Sequence, residues 1–426
     1  MRTHPALNMI YVWVWAFAAF FLLPFKLENR SLSVYGFLVF LLFIAVFCVA
    51  GLIKTKPLQQ MPRARNIEYD FIWIDRILIV AAILAIVSLA LDLRGKDVAD
   101  LAAAYIERSD RADALLHGDV SNSSIYFKIG FMFYPAANIY VAREVIFERN
   151  IRIIRLAFFG ALPIVLATLT LGGRSPLFYA LLVGLLSYRL RREIFPKILG
   201  ASNEKQRIII GISFILSAVS MAIYFINVFF IRSQTDGDDS ALFDVARNYW
   251  GISFNGYGSD FFFQIFGLKA TYTIFVFTWY LVQGIVMSNI LFTQYNGGLQ
   301  YGIYGTDLAT AIARRINGEF VAERFDSLLK LNTYGFLPSA FGSLYVDFAF
   351  YGLIFCAFWG WWAASVYKHY KCGFDHRWMM VAPFVNLGIF FSLINTPLGL
   401  TNGLVTHFWL FVGFKAIRKR QLVRSD

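Results

Sequence analysis

Apolar runs of roughly twenty residues recur along this chain, separated by short polar or basic stretches, and none of them alternates as a strand would. The pattern predicts an all-α, polytopic membrane protein with spans at about 8–24, 33–53, 71–91, 125–142, 153–171, 175–188, 208–231, 343–366, 378–396 and 401–414. The first apolar run, Met9 to Leu23, has no small-x-small cleavage pattern and reads as an uncleaved first span. One further run, 271–292, is long enough to cross but would break the parity of its neighbours. Two arrangements fit it: an in-plane or dipping segment in the outer leaflet, or a re-entrant hairpin with 259–268 that turns near Lys269. Counting both arms as spans would bring the total from about ten to twelve. The whole of 1–426 reads as a single transmembrane domain, with a large region, 232–342, inserted between spans on one side.

Charge supplies the orientation. Lys and Arg concentrate at 54–65, 143–155, 189–207, 368–377 and 415–424, all on one side of the ten-span arrangement. The positive-inside rule makes that side cytoplasmic, with both termini inside and 232–342 in the periplasm or outer leaflet. Segment 92–124 contains a polar, helix-patterned stretch expected on the outer surface. The net charge of +12 follows these loops, so it marks topology and not a nucleic-acid partner. The three cysteines, Cys48, Cys356 and Cys372, form no disulfide framework. The five histidines are scattered, and no metal-ligand spacing, P-loop or Ser-His-Asp order is visible. His407, in mid-span, reads as a satisfied buried side chain.

The stretch "LTLGGRSPL" (169–177) joins two spans on the outer side. Ser175 suits an N-cap and Pro176 the first helical turn, so a helix start faces outward there. Such a start carries free N–H groups and partial positive charge, Gly172 and Gly173 permit close backbone approach, and Arg174 adds a fork matched to phosphate oxygens. The plain alternative is a tight turn whose Arg snorkels to headgroups. Further arginines occur on the outer side, where the positive-inside rule depletes them: Arg232, Arg247, Arg314, Arg315 and Arg324. Together they suit an anionic lipid-linked substrate. Singly, each fits a surface ion pair, and Arg324 has Glu323 and Asp326 as sequence neighbours.

The segment "LNTYGFLPSAFGSLYVDFAFYGLI" (331–354) resembles the late-span region of Wzy-type O-antigen and oligosaccharide repeat-unit polymerases. The Asn332-Thr333-Tyr334 stretch, a Pro, and Tyr345-Val346-Asp347-Phe348 carry the resemblance. The Gly172–Arg174 turn and the spacing of Arg324 from Gly335 are also similar to that family, whereas Ala349 and Phe350 stand where it tends to have Gly. The resemblance implies an enzyme of the bacterial inner membrane that works at its periplasmic face. It would move a glycan from undecaprenyl pyrophosphate onto another lipid-linked repeat unit, with no metal and no cofactor, alongside a chain-length-regulating co-polymerase. The chemistry would be inverting displacement at an anomeric carbon, with growing charge on the leaving pyrophosphate.

On that reading Arg174, Arg324 and Asp326 are the catalytic candidates. Gly172, Gly173, Ser175, Arg232, Arg247, Arg314, Arg315, Asn332 and Tyr334 are the substrate-binding candidates. Glu323, Asp260, Glu319 and Asp347 are further carboxylates that could serve as base, although Asp347 suits a structural role equally well. Tyr257, Tyr301, Tyr304 and Tyr334 fit either sugar-face stacking or an interfacial aromatic belt. Two rival functions share the topology. An O-antigen ligase would use the same donor but is expected to place a His in the outer region, and 232–342 has none. A lipid-linked oligosaccharide flippase should show structural repeats and midplane charges.

Overall fold

The computed structural model describes residues 3–23, 25–28, 31–53, 67–94, 124–148, 150–171, 175–194, scattered helical positions between 211 and 223, 251–254, 259–331, 337–371, 375, 377–400 and 402–421. The described chain is helical apart from two short antiparallel strand pairs. Its helices are α1 (Pro5–Leu22), α2 (Val34–Ile53), α3 (Ile72–Leu93), α4 (Ile125–Phe133), α5 (Pro135–Phe147), α6 (Ile153–Leu171) and α7 (Ser175–Ile194). After these come α8 (Ser259–Gln294), α9 (Asp307–Ile316), α10 (Gly318–Lys330), α11 (Ser339–Phe348), α12 (Gly352–Lys371), α13 (Trp378–Phe391) and α14 (Gly403–Ala416).

Among the described residues, six helical stretches are long and apolar enough to cross a membrane: Pro5–Leu22, Val34–Ile53, Ile72–Leu93, Ile153–Leu171, Ala270–Gln294 and Ser339–Lys371. The protein is therefore an all-α membrane protein. Its lipid-facing surface is apolar: Leu22, Ile53, Val80, Ile154 and Phe358 are all exposed. The core is aromatic. Trp13, Phe40, Phe43, Phe292 and Phe341 interlock among α1, α2, α8 and α11, with ring centroids 4.6–6.0 Å apart. Small residues let α2 and α12 pack closely, and a Cβ at Gly360 would collide with the Phe47 carbonyl.

Several predicted spans differ from the observed elements. The run at 125–142 is two abutting helices, because Pro135 has no N–H to continue α4 and instead starts α5. The span at 343–366 is broken: α11 ends at Phe348, Ala349 takes φ +48°, and α12 begins at Gly352 after one 3₁₀ turn. The span at 378–396 stops being helical at Phe391. The 259–292 region reverses at Gly267 (φ +73°, ψ 173°), two residues before the predicted Lys269. That backbone region is open essentially to Gly alone. The reversal brings Thr271 Oγ1 to donate to the Phe262 carbonyl at 2.9 Å, and Phe254 packs against Phe262, Phe263 and Phe275 on both arms. Most of 208–231 and of 92–124 lies outside the described residues.

The described parts of the basic segments flank one end of the helix bundle. Strand β2 (Ile67–Asp70) pairs with β4 (Arg418–Gln421), joining the entry to α3 with the exit from α14. Tyr69 donates to Asp375 at 3.2 Å, and Asp375 is also held by Arg377 at 2.8 Å. Beside them, buried Arg143 binds Asp75 (2.6 Å), Glu144 (2.9 Å) and Glu148 (2.8 Å), while Arg191 donates to the Val145 carbonyl at 2.9 Å. Three carboxylates around Arg143 compensate a desolvated charge that would otherwise be costly. At the other end, β1 (Lys26–Leu27) pairs with β3 (Ile252–Ser253). Twenty residues of α12 rise about 30 Å, the thickness of a bilayer core, from Lys371 at the basic end to Gly352 at the other.

Candidate functional site at the end opposite the basic face

The elements at this end are organised by irregular backbone at 392–400 and Asn402, between α13 and α14. Backbone of this kind within a membrane protein must be covered by protein or line a wet cavity, and here it is heavily bonded. The Ser392 carbonyl accepts the Ala340 N–H at 2.8 Å, and its hydroxyl accepts the Trp13 indole N–H at 3.1 Å. Ser343 donates to Asn395 Oδ1 at 3.1 Å. Thr396 Oγ1 reaches the Gly305 carbonyl at 3.5 Å, and Gly399 touches that carbonyl so closely that a side chain could not fit. Asn402, in the left-handed region at φ +61°, donates to the Phe131 carbonyl at 2.6 Å. On the other flank Phe178 and Tyr179, in the first turn of α7, pack on Phe391 at 5.8 and 6.2 Å.

Asp347 is the second organiser. It is 3% exposed, and its two oxygens accept the N–H groups of Tyr304 (3.0 Å) and Gly305 (2.9 Å). Its carbonyl accepts the Tyr301 N–H at 3.0 Å. The loop that follows α8 is therefore folded around this carboxylate, which fixes where α9 begins. In this chain the Asp of the Tyr-x-Asp-Phe stretch has the structural role, because both of its oxygens are engaged by backbone.

Arg324 serves the same loop from α10. Its Nη1 donates to the Leu299 carbonyl, its guanidinium lies 4.7 Å over Phe320, and its own carbonyl accepts Gln300 Nε2 at 3.1 Å. Tyr295 donates to the Gly298 carbonyl at 2.8 Å, and burial pushes its phenol above the usual range, so it remains a neutral donor. The local ion pair suggested by the sequence goes elsewhere: Asp326 pairs with Lys330 at 2.6 Å on the exposed side of α10, one turn along the helix. Arg314 lies 5.6 Å over Phe325, and Arg315 is exposed. Ser175 is exposed at the first residue of α7. Gly172, Gly173, Arg174, Arg232, Arg247, Asn332 and Tyr334 lie outside the described residues.

One residue here was passed over in the sequence. Asp307 is the exposed first residue of α9, two residues after Gly305. Positions 134, 179 and 307 have no common motif. Their elements are gathered at one end because the segment after α13 touches α4 through Asn402, the start of α7 through Phe391 and the 305 loop through Thr396. Among the described residues no group of three His, Cys, Asp or Glu side chains is disposed to hold a metal ion. No family model, curated protein or solved structure matches the chain.

Proposed function

We propose that the chain is a metal-independent glycosyltransferase of the bacterial inner membrane that joins undecaprenyl-pyrophosphate-linked oligosaccharide repeat units into a surface polysaccharide. About ten spans would carry it, with the basic face cytoplasmic and the 391–402 end periplasmic. The observation that supports this reading most is the convergence at that end. The start of α7 packs on Phe391, Thr396 meets the Gly305 carbonyl, and the 301–305 loop held by Asp347 leads directly into the arginine-bearing pair α9–α10.

In this mechanism an acceptor hydroxyl gives its proton to a carboxylate, for which we assign Asp307, exposed at the start of α9 just after the 305 loop. The hydroxyl oxygen then attacks the anomeric carbon, and the bond to the pyrophosphate oxygen breaks with its electron pair. Arg174 and the backbone N–H groups at the start of α7 would stabilise the leaving charge.

The test is purified protein with a synthetic undecaprenyl-pyrophosphate repeat unit. Wild type should give a glycan ladder. Arg174→Ala and Asp307→Asn should not, while Arg174→Lys should recover only part, since an ammonium cannot reproduce a bidentate fork. A wild-type protein that leaves the substrate unchanged would refute the reading.

A further inference from the structure

Helix α9 is amphipathic in a sense opposite to a soluble surface helix. It meets the rest of the protein through polar and small side chains: Thr310 hydrogen-bonds the Ile303 and Thr306 carbonyls, Ala313 packs into the small core of α10, and Arg314 lies over Phe325. Leu308, in its first turn, packs on the main core, but the two isoleucines that follow face away. Ile312 is 51% and Ile316 81% exposed, one turn apart on the same stripe, and Phe320 of α10 extends the patch. No residue of α9 is buried. A soluble helix would turn the isoleucine row inward, so this row requires an apolar medium outside the protein.

The position of the helix identifies that medium. Asp347 holds Gly305, two residues before α9, at the end of α11, and Gly352 then starts the roughly 30 Å rise of α12 to the basic face. The start of α9 is thus near the level of one membrane–water interface. Around it the exposed side chains are those of an interfacial belt: Tyr301, Phe350 and Tyr351, followed by the lipid-facing Ile354 and Phe355 of α12. Arg315 is exposed at the edge of the isoleucine row, where a guanidinium meets headgroup phosphates.

We infer that α9 is an in-plane membrane helix: its Ile312–Ile316 row is buried in the lipid of the leaflet opposite the basic face, with Arg315 at the headgroups and α10 above it on the water side. The occupant of this surface is the bilayer. Residues Glu319, Glu323, Asp326 and Lys330 form the solvated row of α10.

Site-directed spin labelling in nanodiscs of phosphatidylethanolamine and phosphatidylglycerol tests this. The background is Cys372→Ser, since Cys48 and Cys356 are buried. Labels at Ile312→Cys and Ile316→Cys should collide with dissolved oxygen several-fold more than with a water-soluble nickel chelate. A label at Glu323→Cys should show the reverse. Equal nickel access at 316 and 323 would place the row in water and overturn the inference. So would a label at 316 shielded from both reagents, and in that case dipolar broadening between labels would identify a second copy as the cover. Because a single Cys on an exposed face leaves the core intact, loss of folding at both sites together would also count against lipid exposure, as it would mean that the row packs on protein.

Discussion

Asp347 and Arg324 both hold the loop that follows α8, but they differ in how many of their polar atoms that task engages. Asp347 commits both oxygens to the backbone of the 304–305 turn. Asp347→Asn would keep one acceptor and aim an amide N–H at the other donor. The expected loss is about 1–3 kcal/mol of local stability, the usual cost of a buried polar group left unpaired. Amide exchange at Tyr304 and Gly305 should accelerate, and unchanged exchange would mean that the carboxylate does not anchor the turn. Arg324 is different, because it makes a single side-chain hydrogen bond among the described residues, to Leu299, and has five N–H donors. If its remaining donors act on leaving-group charge, Arg324→Ala should lower turnover about a hundredfold, on the order of 3 kcal/mol, with donor binding changed much less. Glu323→Gln with Asp326→Asn should be mild. The Asp326–Lys330 pair is largely exposed, and such pairs contribute about 1 kcal/mol or less. Wild-type turnover in Arg324→Ala would confine this residue to packing the 295–300 loop.

At the scale of elements, the breaks in the helices matter more than the helices. Gly267 reverses α8 so that an apolar stretch too short to span returns along the start of a longer one. Its φ of +73° with extended ψ is strained for any other residue. Gly267→Ala should cost about 1–3 kcal/mol and disrupt the Thr271–Phe262 contact. Cysteines placed at 262 and 271 should crosslink when Gly267 is kept and fail to do so in the Gly267→Ala background. Efficient crosslinking in that background would show that the turn does not depend on glycine. The same logic applies at Ala349, where a non-glycine residue with positive φ ends α11 and separates two helices that the apolar pattern reads as one.

For the whole molecule, the question is sidedness. The described parts of the basic segments sit at one end of the bundle, joined by the β2–β4 pair and the Tyr69–Asp375–Arg377 contacts, while 391–402, α9 and α10 lie toward the other. Cysteine at Asn317, which is exposed between α9 and α10, should react with an impermeant maleimide in intact spheroplasts. Cysteine at Lys415 should react only after lysis. Protection of position 317 until lysis would reverse the orientation and place α9 and α10 in the cytoplasm.

The membrane class and the approximate position of most described helices were legible in the sequence, as was the end of the bundle at which the described parts of the basic segments lie, because hydropathy and charge act through local composition and need no tertiary partner. The start of α7 at Ser175 was legible too, since a proline in the first turn is a local signal; Ser175 itself is the first helical residue. The break at Ala349 and the early end of α13 at Phe391 were not, because each is stabilised by distant groups, Tyr301 on Asp347 and Ala340 on Ser392. The hairpin within 259–292 was one of two arrangements the sequence allowed, and Phe254 packing on both arms selects it, with the turn at Gly267. The partners of Arg324 and Asp326 were misread for the same reason. Adjacency in sequence suggested an ion pair, whereas the fold gave Arg324 a carbonyl 25 residues away and left Asp326 to Lys330. Asp307 could not be singled out at all, because only the tertiary contact of Gly305 with Thr396 places the start of α9 at this end beside the segment that Phe391 anchors to α7. Composition determined which medium the chain occupies, and tertiary contacts decided which polar groups meet at its edge.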